Sequence, residues 1–185
     1  MVLAVGRLAA EKNLDLVVRA FEAMHQSNSR TRLIFAGDGP MRATLENRCR
    51  QAFFMGQCTH AELAVCYASA DLLLFPSLTE TFGNVTLEAM ASGLPVLAYD
   101  VAAAAEWISH GVDGWLVRAG QEDEYIAQAT ALAGHVGPLR MAGVRASQTV
   151  ASQDWQRIAG QVEGLWADLL ASPVPHARGI PVLAT

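Results

Sequence analysis

Six short apolar runs punctuate the chain, at residues 2–5, 33–36, 53–55, 72–75, 96–98 and 115–117. Their unbroken hydrophobicity, without alternation, predicts strands buried on both faces. Between them the apolar positions shift to helical spacing, as in Leu14, Val17, Val18 and Phe21, in Leu63, Cys66 and Tyr67, and in Ile126, Ala129, Thr130 and Ala133. Strands alternating with helices need crossover connections, and these generate a parallel sheet with helices on both faces.

The expected fold is therefore α/β: a doubly wound, Rossmann-like, mostly parallel sheet of about six strands, with further helices at the C-terminal end. In such sheets ligands sit beyond the carboxyl ends of the strands, near the point where strand order reverses. Residues 138–150 and 154–170 read as purely helical, the second beginning near a Ser152 cap. Residues 171–185 contain Pro173, Pro175 and Pro181 and read as an extended or disordered tail. A length of 185 residues suits one well-buried domain, here residues 1–170.

Composition narrows the function classes. With 52% apolar and 17% charged residues the chain is not disordered. A formal charge of −5 gives no general attraction to nucleic acid or to an anionic membrane, so a phosphate site must be built from a few local donors. Cys49, Cys58 and Cys66 form no C-x-x-C pair and have no nearby histidines, which predicts reduced, buried thiols and no zinc site. No apolar run reaches the roughly 18 residues of a membrane span, and the start lacks the order of a signal peptide. A soluble, cytoplasmic protein is expected.

Three loops follow strands and carry candidate chemistry. The first is Gly6-Arg7-Leu8-Ala9-Ala10-Glu11-Lys12, where a glycine permits a tight turn and two cations reach forward. Arg7 can make paired hydrogen bonds to phosphate oxygens while Lys12 adds a point charge, an arrangement suited to a diphosphate. An ordinary solvated loop would look the same. The second, Gly37-Asp38-Gly39-Pro40, reads as a turn whose Asp38 caps the next helix; a phosphate role through its amides is the alternative.

The third loop, residues 76–83, leads into a helix whose first amides, around Gly83, Asn84 and Val85, would face an anion with the positive end of the dipole. Glu80 precedes this helix, and Glu88 lies about two turns into it. Glu88 is the only charged residue between Glu80 and Asp100, in a segment between two apolar runs. It is expected to pack near the core, where an unpaired carboxylate is costly and a hydroxyl-rich ligand would supply partners. The simpler readings are an exposed loop acid for Glu80 and, for Glu88, a carboxylate satisfied by amides or by Ser92.

No G-x-S-x-G elbow occurs, and no histidine has an evident carboxylate or cysteine partner, so none is assigned a catalytic role; His60 caps or begins a helix. The four tryptophans, Trp107, Trp115, Trp155 and Trp166, read as packing anchors. Gly6-Arg7-Leu8 in place of G-x-G-x-x-G disfavours a nicotinamide-dependent oxidoreductase.

In combination, Gly6-Arg7-Leu8 with Glu11-Lys12, Gly37-Asp38-Gly39-Pro40, and Glu80-x7-Glu88 followed by Ala89-Met90-Ala91-Ser92-Gly93-Leu94-Pro95-Val96 resemble the family 4, GT-B-type retaining glycosyltransferases. The resemblance runs from the first strand to about residue 170 and covers that family's donor-binding half. It implies Gly6, Arg7 and Lys12 on the diphosphate of a UDP-, GDP- or ADP-linked sugar, Glu80 on the sugar hydroxyls and Glu88 on the ribose. It implies further that amides from Phe82 to Val85, Gly83 and Asn84 included, complete the cradle, and that the base lies by Met55, Gly56, Gln57 and Cys58.

By the same resemblance Arg7, Lys12 and Glu80 are catalytic, the sugar is transferred with retained configuration, and neither cofactor nor metal is needed. An N-terminal acceptor-binding domain is expected as partner, and the chain alone is expected to bind donor with little or no transfer. Glycolipid or surface-polysaccharide assembly, with peripheral membrane contact by the full enzyme, fits the same resemblance. The competing expectation is a non-catalytic nucleotide-sugar binding or regulatory module.

Overall fold

The computed structural model describes residues 1–80, 83–151 and 155–171. Its centre is one all-parallel sheet of six strands: β1 (Val2–Val5), β2 (Leu33–Ala36), β3 (Phe53–Gly56), β4 (Leu72–Phe75), β5 (Val96–Tyr99) and β6 (Trp115–Val117). The strands lie in the order β3-β2-β1-β4-β5-β6. β1 therefore pairs with both β2 and β4, with Val2 opposite Leu33 on one side and Leu72 on the other. The chain first winds outward from β1 to β3, then returns to β4 and winds the other way. The reversal opens a crevice beyond the carboxyl ends of β1 and β4.

Helices α1 (Leu14–Ser27), α2 (Arg42–Arg48), α3 (His60–Ser69), α4 (Asn84–Ala91), α5 (Ala102–Trp107), α6 (Glu122–Leu132) and α7 (Val136–Val150) cover the sheet. Within each inner strand successive side chains enter opposite cores. Val2 and Ala4 join Leu16, Val17 and Phe21 of α1 in one cluster, and Leu3 joins Ala89 and Met90 of α4 in the other. Residues buried on both sides explain why the inner strands read as unbroken apolar runs.

The edge strand β3 departs from that expectation. Phe53 is 63% exposed, while Phe54 stacks on Phe35 with ring centroids 4.9 Å apart. An apolar run does not reveal which strand lies at the sheet edge, where burial is incomplete. In α6 the buried line passes through Tyr125, Ala129 and Leu132, one position from the expected Ile126 face. The Tyr125 hydroxyl donates to the Leu97 carbonyl at 2.9 Å, so a residue with a polar tip serves as core. Helix α7 starts two residues before Pro138, which occupies the first turn, where its missing N–H costs nothing.

Residues Met1–Ala151 form one compact unit, and the described residues after it belong to a second. The second contains α8 (Trp155–Ala171), and there Trp166 is 66% exposed, unlike the expected packing anchor. Trp115 is buried against the sheet as expected. The Ser152 cap and residues 172–185 lie outside the described residues. Among the described residues no helix is long and apolar enough to cross a membrane.

Candidate functional site

The loop after β1 is fixed in place by the loop after β2. Gly6 N donates to the Ala36 carbonyl at 3.0 Å, Leu8 N to the Asp38 carbonyl at 2.9 Å, and Met41 N to the Leu8 carbonyl at 2.9 Å. Gly37 permits this approach: its φ is 146°, and a Cβ there would lie 1.9 Å from the Gly6 carbonyl oxygen. Asp38 does not cap α2. That helix begins at Arg42 with Met41 at the cap position, too far along for Asp38, which accepts from its neighbour's amide, Gly39 N, and pairs with Arg42.

From this anchored loop the two cations take different positions. Arg7 is exposed and pairs with Glu11, four positions on. Glu11 is held below its ordinary carboxylate range by its own backbone amide and by Arg7. Lys12 ends a single 3-10 turn, Ala10–Lys12, and its ammonium forms an ion pair with Glu80 across the crevice between the β1 and β4 loops. The same ammonium lies 5.8 Å from the centre of the Phe75 ring. Both members are largely withdrawn from solvent, with side chains 20% and 12% exposed.

Beside this pair α4 begins. Gly83 sits at its cap position with φ 93°, buried, where a Cβ would press on Ala103 at 3.3 Å. No side chain among the described residues caps the helix, and the amides of Asn84 and Val85 point out of its first turn without intrahelical partners. Positive dipole end, free amides and the Lys12 ammonium thus share one side of the crevice. Phe82 lies outside the described residues.

Glu88 differs from its expectation. It is exposed rather than set against the core, because α4 buries Thr86, Ala89 and Met90 and turns Glu88 outward. Its Oε2 accepts from the Tyr67 hydroxyl at 2.9 Å. Ser92 donates at 2.8 Å to the backbone carbonyl of Glu88, so the proposed Ser92 partner does not serve the carboxylate. Tyr67 was identified in the sequence only as an apolar helix position, and its link to a residue 21 positions on has no signature there. Burial, and secondarily Glu88, push the Tyr67 phenol far up, so it stays a neutral donor.

Two open clefts connect these groups. One, of about 390 Å³, is lined by Gly6, Arg7, Asp38, Gln57 and Cys58; the other, of about 230 Å³, by His60, Tyr67, Glu88 and Ser92. Leu63 lines both, so the two clefts are neighbours on either side of its side chain. Near Glu80, Ser77 and Gly83, by contrast, the packing leaves no space for a water. Gly6, Arg7, Gln57 and Cys58 thus share one cleft and Glu88 lines its neighbour, while Lys12 pairs with Glu80, whose Cβ lies beside Gly83. Met55 and Gly56 line neither cleft; the Met55 sulfur lies 3.2 Å from the buried Cys66 Sγ.

Cys58 is only half-buried, contrary to expectation, and burial pushes its thiol up. His60 begins α3, but Thr59 caps it. Thr59 and Glu62 form a reciprocal capping box in which Thr59 N donates to the Glu62 carboxylate at 2.8 Å. A wider cleft, of about 550 Å³, lies by Glu22, His25 and residues 48–51, away from the strand ends and all the candidate residues. Among the described residues no cluster of His, Cys, Asp and Glu could hold a metal ion.

Comparison with known proteins agrees with this architecture. The family model described as "Glycosyl transferases group 1" matches residues 1–135. A GDP-mannose-dependent alpha-mannosyltransferase of Mycobacterium tuberculosis is 32% identical over 86% of this chain and 40% of its own length. The pneumococcal O-GlcNAc transferase GtfA, solved with UDP and GlcNAc, superposes with a TM-score of 0.80 at 21% identity, covering 92% of this chain and 36% of that one. The C-terminal domain of a group 1 family glycosyl transferase, LpcC of Francisella tularensis, gives 0.74 at 19% identity, covering 82% of this chain and 85% of that one. At these identities the likeness establishes the fold, which is that of the GT-B glycosyltransferases. The chain spans between 30% and 40% of the length of the first curated relatives it matches. With the family model covering most of the sequence, the chain belongs to the glycosyl transferases of group 1.

Proposed function

We propose that this chain is the donor-binding domain of a retaining, family 4 glycosyltransferase and that the crevice at the strand reversal holds a nucleotide-diphosphate sugar. The observation that carries the reading is the Lys12–Glu80 ion pair set beside the uncapped start of α4. A cation, free amides and a helix's positive end converge there on one small volume, the chemistry that stabilises a diphosphate. Relatives named for GDP-mannose and structural neighbours solved with UDP support the ligand class.

Donor binding would exchange Lys12 from Glu80 to the phosphates, with Arg7 closing from the outer side. Released from Lys12, the Glu80 carboxylate would accept from the sugar hydroxyls. Glu88 would accept from the ribose, and the base would lie in the cleft by Gln57 and Cys58. In transfer, the bond from the anomeric carbon to the diphosphate oxygen breaks while the acceptor oxygen bonds on the same face. The acceptor's proton goes to the departing phosphate. Lys12, Arg7 and the amides of Asn84 and Val85 stabilise the charge that develops on that leaving group, and no metal is assigned to the step.

The acceptor would be positioned by a separate, N-terminal domain, and a single wall leaves the sugar exposed to water. The domain belongs in the cytoplasm on this reading. Calorimetric titration with UDP-, GDP- and ADP-linked sugars tests it: one of them binds, and Lys12→Ala weakens that binding more than tenfold. No binding of any donor by the folded chain contradicts it. Transfer restored by adding an N-terminal half separates the enzyme from a non-catalytic binding module.

A further inference from the structure

Glu88 is an exposed glutamate on a short helix, with every reason to sample several rotamers. One contact prevents this. Tyr67 is only 3% exposed, anchored on α3 within the second core cluster, and its hydroxyl reaches Glu88 Oε2 at 2.9 Å. A phenol held by packing can aim in few directions, so it fixes the carboxylate that it touches. The second oxygen, Oε1, has no protein partner among the described residues, and the carboxylate borders the cleft of about 230 Å³, which shares Leu63 with the cleft lined by Gln57.

We infer that Tyr67 is a positioning residue: it holds Glu88 so that the free carboxylate oxygen faces the sugar ring of the bound nucleotide and recognises its vicinal hydroxyls. Tyr67 touches no ligand itself in this arrangement. It acts by removing the rotamer freedom that Glu88 would otherwise lose on binding, and by occupying the oxygen that a ribose would not use. A phenol suits the task because it supplies a donor without a charge, leaving the carboxylate negative and its acceptor strength intact. A cation in its place would pair with Glu88 and compete with the ribose.

This inference rests on the nucleotide reading above, and its test separates the two. The 185-residue chain is titrated with UDP and GDP and with their 2′,3′-dideoxy counterparts, as wild type, Tyr67→Phe, Glu88→Ala and the double variant. The expected result is that Tyr67→Phe lowers the preference for the ribose form about fivefold, the ratio for one net hydrogen bond, and leaves dideoxy binding unchanged. In the Glu88→Ala background the same change has no further effect, since Tyr67 acts only through that carboxylate. Thermal melting confirms that each variant folds. A Tyr67→Phe chain that folds and keeps the full ribose preference overturns the inference while leaving nucleotide binding standing. Wild-type chain that binds neither diphosphate overturns the site reading, and the inference with it.

Discussion

Glu80 and Glu88 belong to one short motif yet occupy opposite environments. Glu80 is largely withdrawn from solvent and paired with a cation; Glu88 is exposed, tied to a neutral phenol, on an open cleft. The difference teaches how one helix start can serve two ends of a ligand. At the Glu80 end an acid already occupies the cation, and on the proposed reading a phosphate would displace it to reach Lys12. At the Glu88 end an acceptor stands prepared, and binding needs no exchange of partners. On that reading charge complementarity would dominate the first end, and preorganisation the second.

The largest expected effect removes the frame that holds the first end together. Gly37→Ala drives a Cβ to 1.9 Å from the Gly6 carbonyl at a φ that L residues avoid, and should cost about 3 kcal/mol of stability in chemical denaturation. Breaking the charged end alone comes next. Lys12→Ala leaves Glu80 unpaired and removes the phosphate's main cation, for a loss of about 2–3 kcal/mol in diphosphate affinity by calorimetry. Glu88→Ala should cost about 1–2 kcal/mol in nucleotide affinity, less than Lys12→Ala because neutral hydroxyl bonds are weaker than charge-assisted ones.

Arg7 sharpens the comparison further. Its side chain is 68% exposed and its Glu11 pair is solvated, so Arg7→Ala should change stability by under about 0.5 kcal/mol while still weakening diphosphate binding. The smallest effect lies in α3, which carries Tyr67. Glu62 is held below its ordinary value of 4.5 by the Thr59 amide and hydroxyl. A lowered folded value stabilises the protein above that ordinary value, and the contribution disappears as pH falls through the folded one. Glu62→Gln should flatten the acid limb of a stability–pH profile by a small, measurable amount.

Much of the architecture was legible because it rests on local pattern. Six apolar runs became six strands, and their alternation with helices required the parallel sheet and its reversal point. The exposed face of β3 was not legible, since hydrophobicity does not say which strand lies at the edge. Nor was the position of α2, where Asp38 looked like a cap but the chain turned three residues more before Arg42. The Thr59–Glu62 box is readable in principle from its T-x-x-E spacing.

Residue type and loop position place Arg7, Gln57 and Cys58 on one cleft and Glu88 on the neighbouring one. Partnerships were beyond the sequence. The Lys12–Glu80 pair spans 68 positions and the Tyr67–Glu88 bond 21, and nothing local marks either. Met55 lines neither cleft because its side chain ends beside Cys66.

The most direct test of the central claim compares a nucleoside diphosphate sugar with the corresponding nucleoside monophosphate, binding each to wild-type chain and to Lys12→Ala. If the crevice is a diphosphate site built on Lys12, wild type prefers the diphosphate sugar by about tenfold or more, and Lys12→Ala abolishes that preference while monophosphate affinity changes little. A preference that survives the loss of Lys12, or an equal loss for both ligands, would contradict the account.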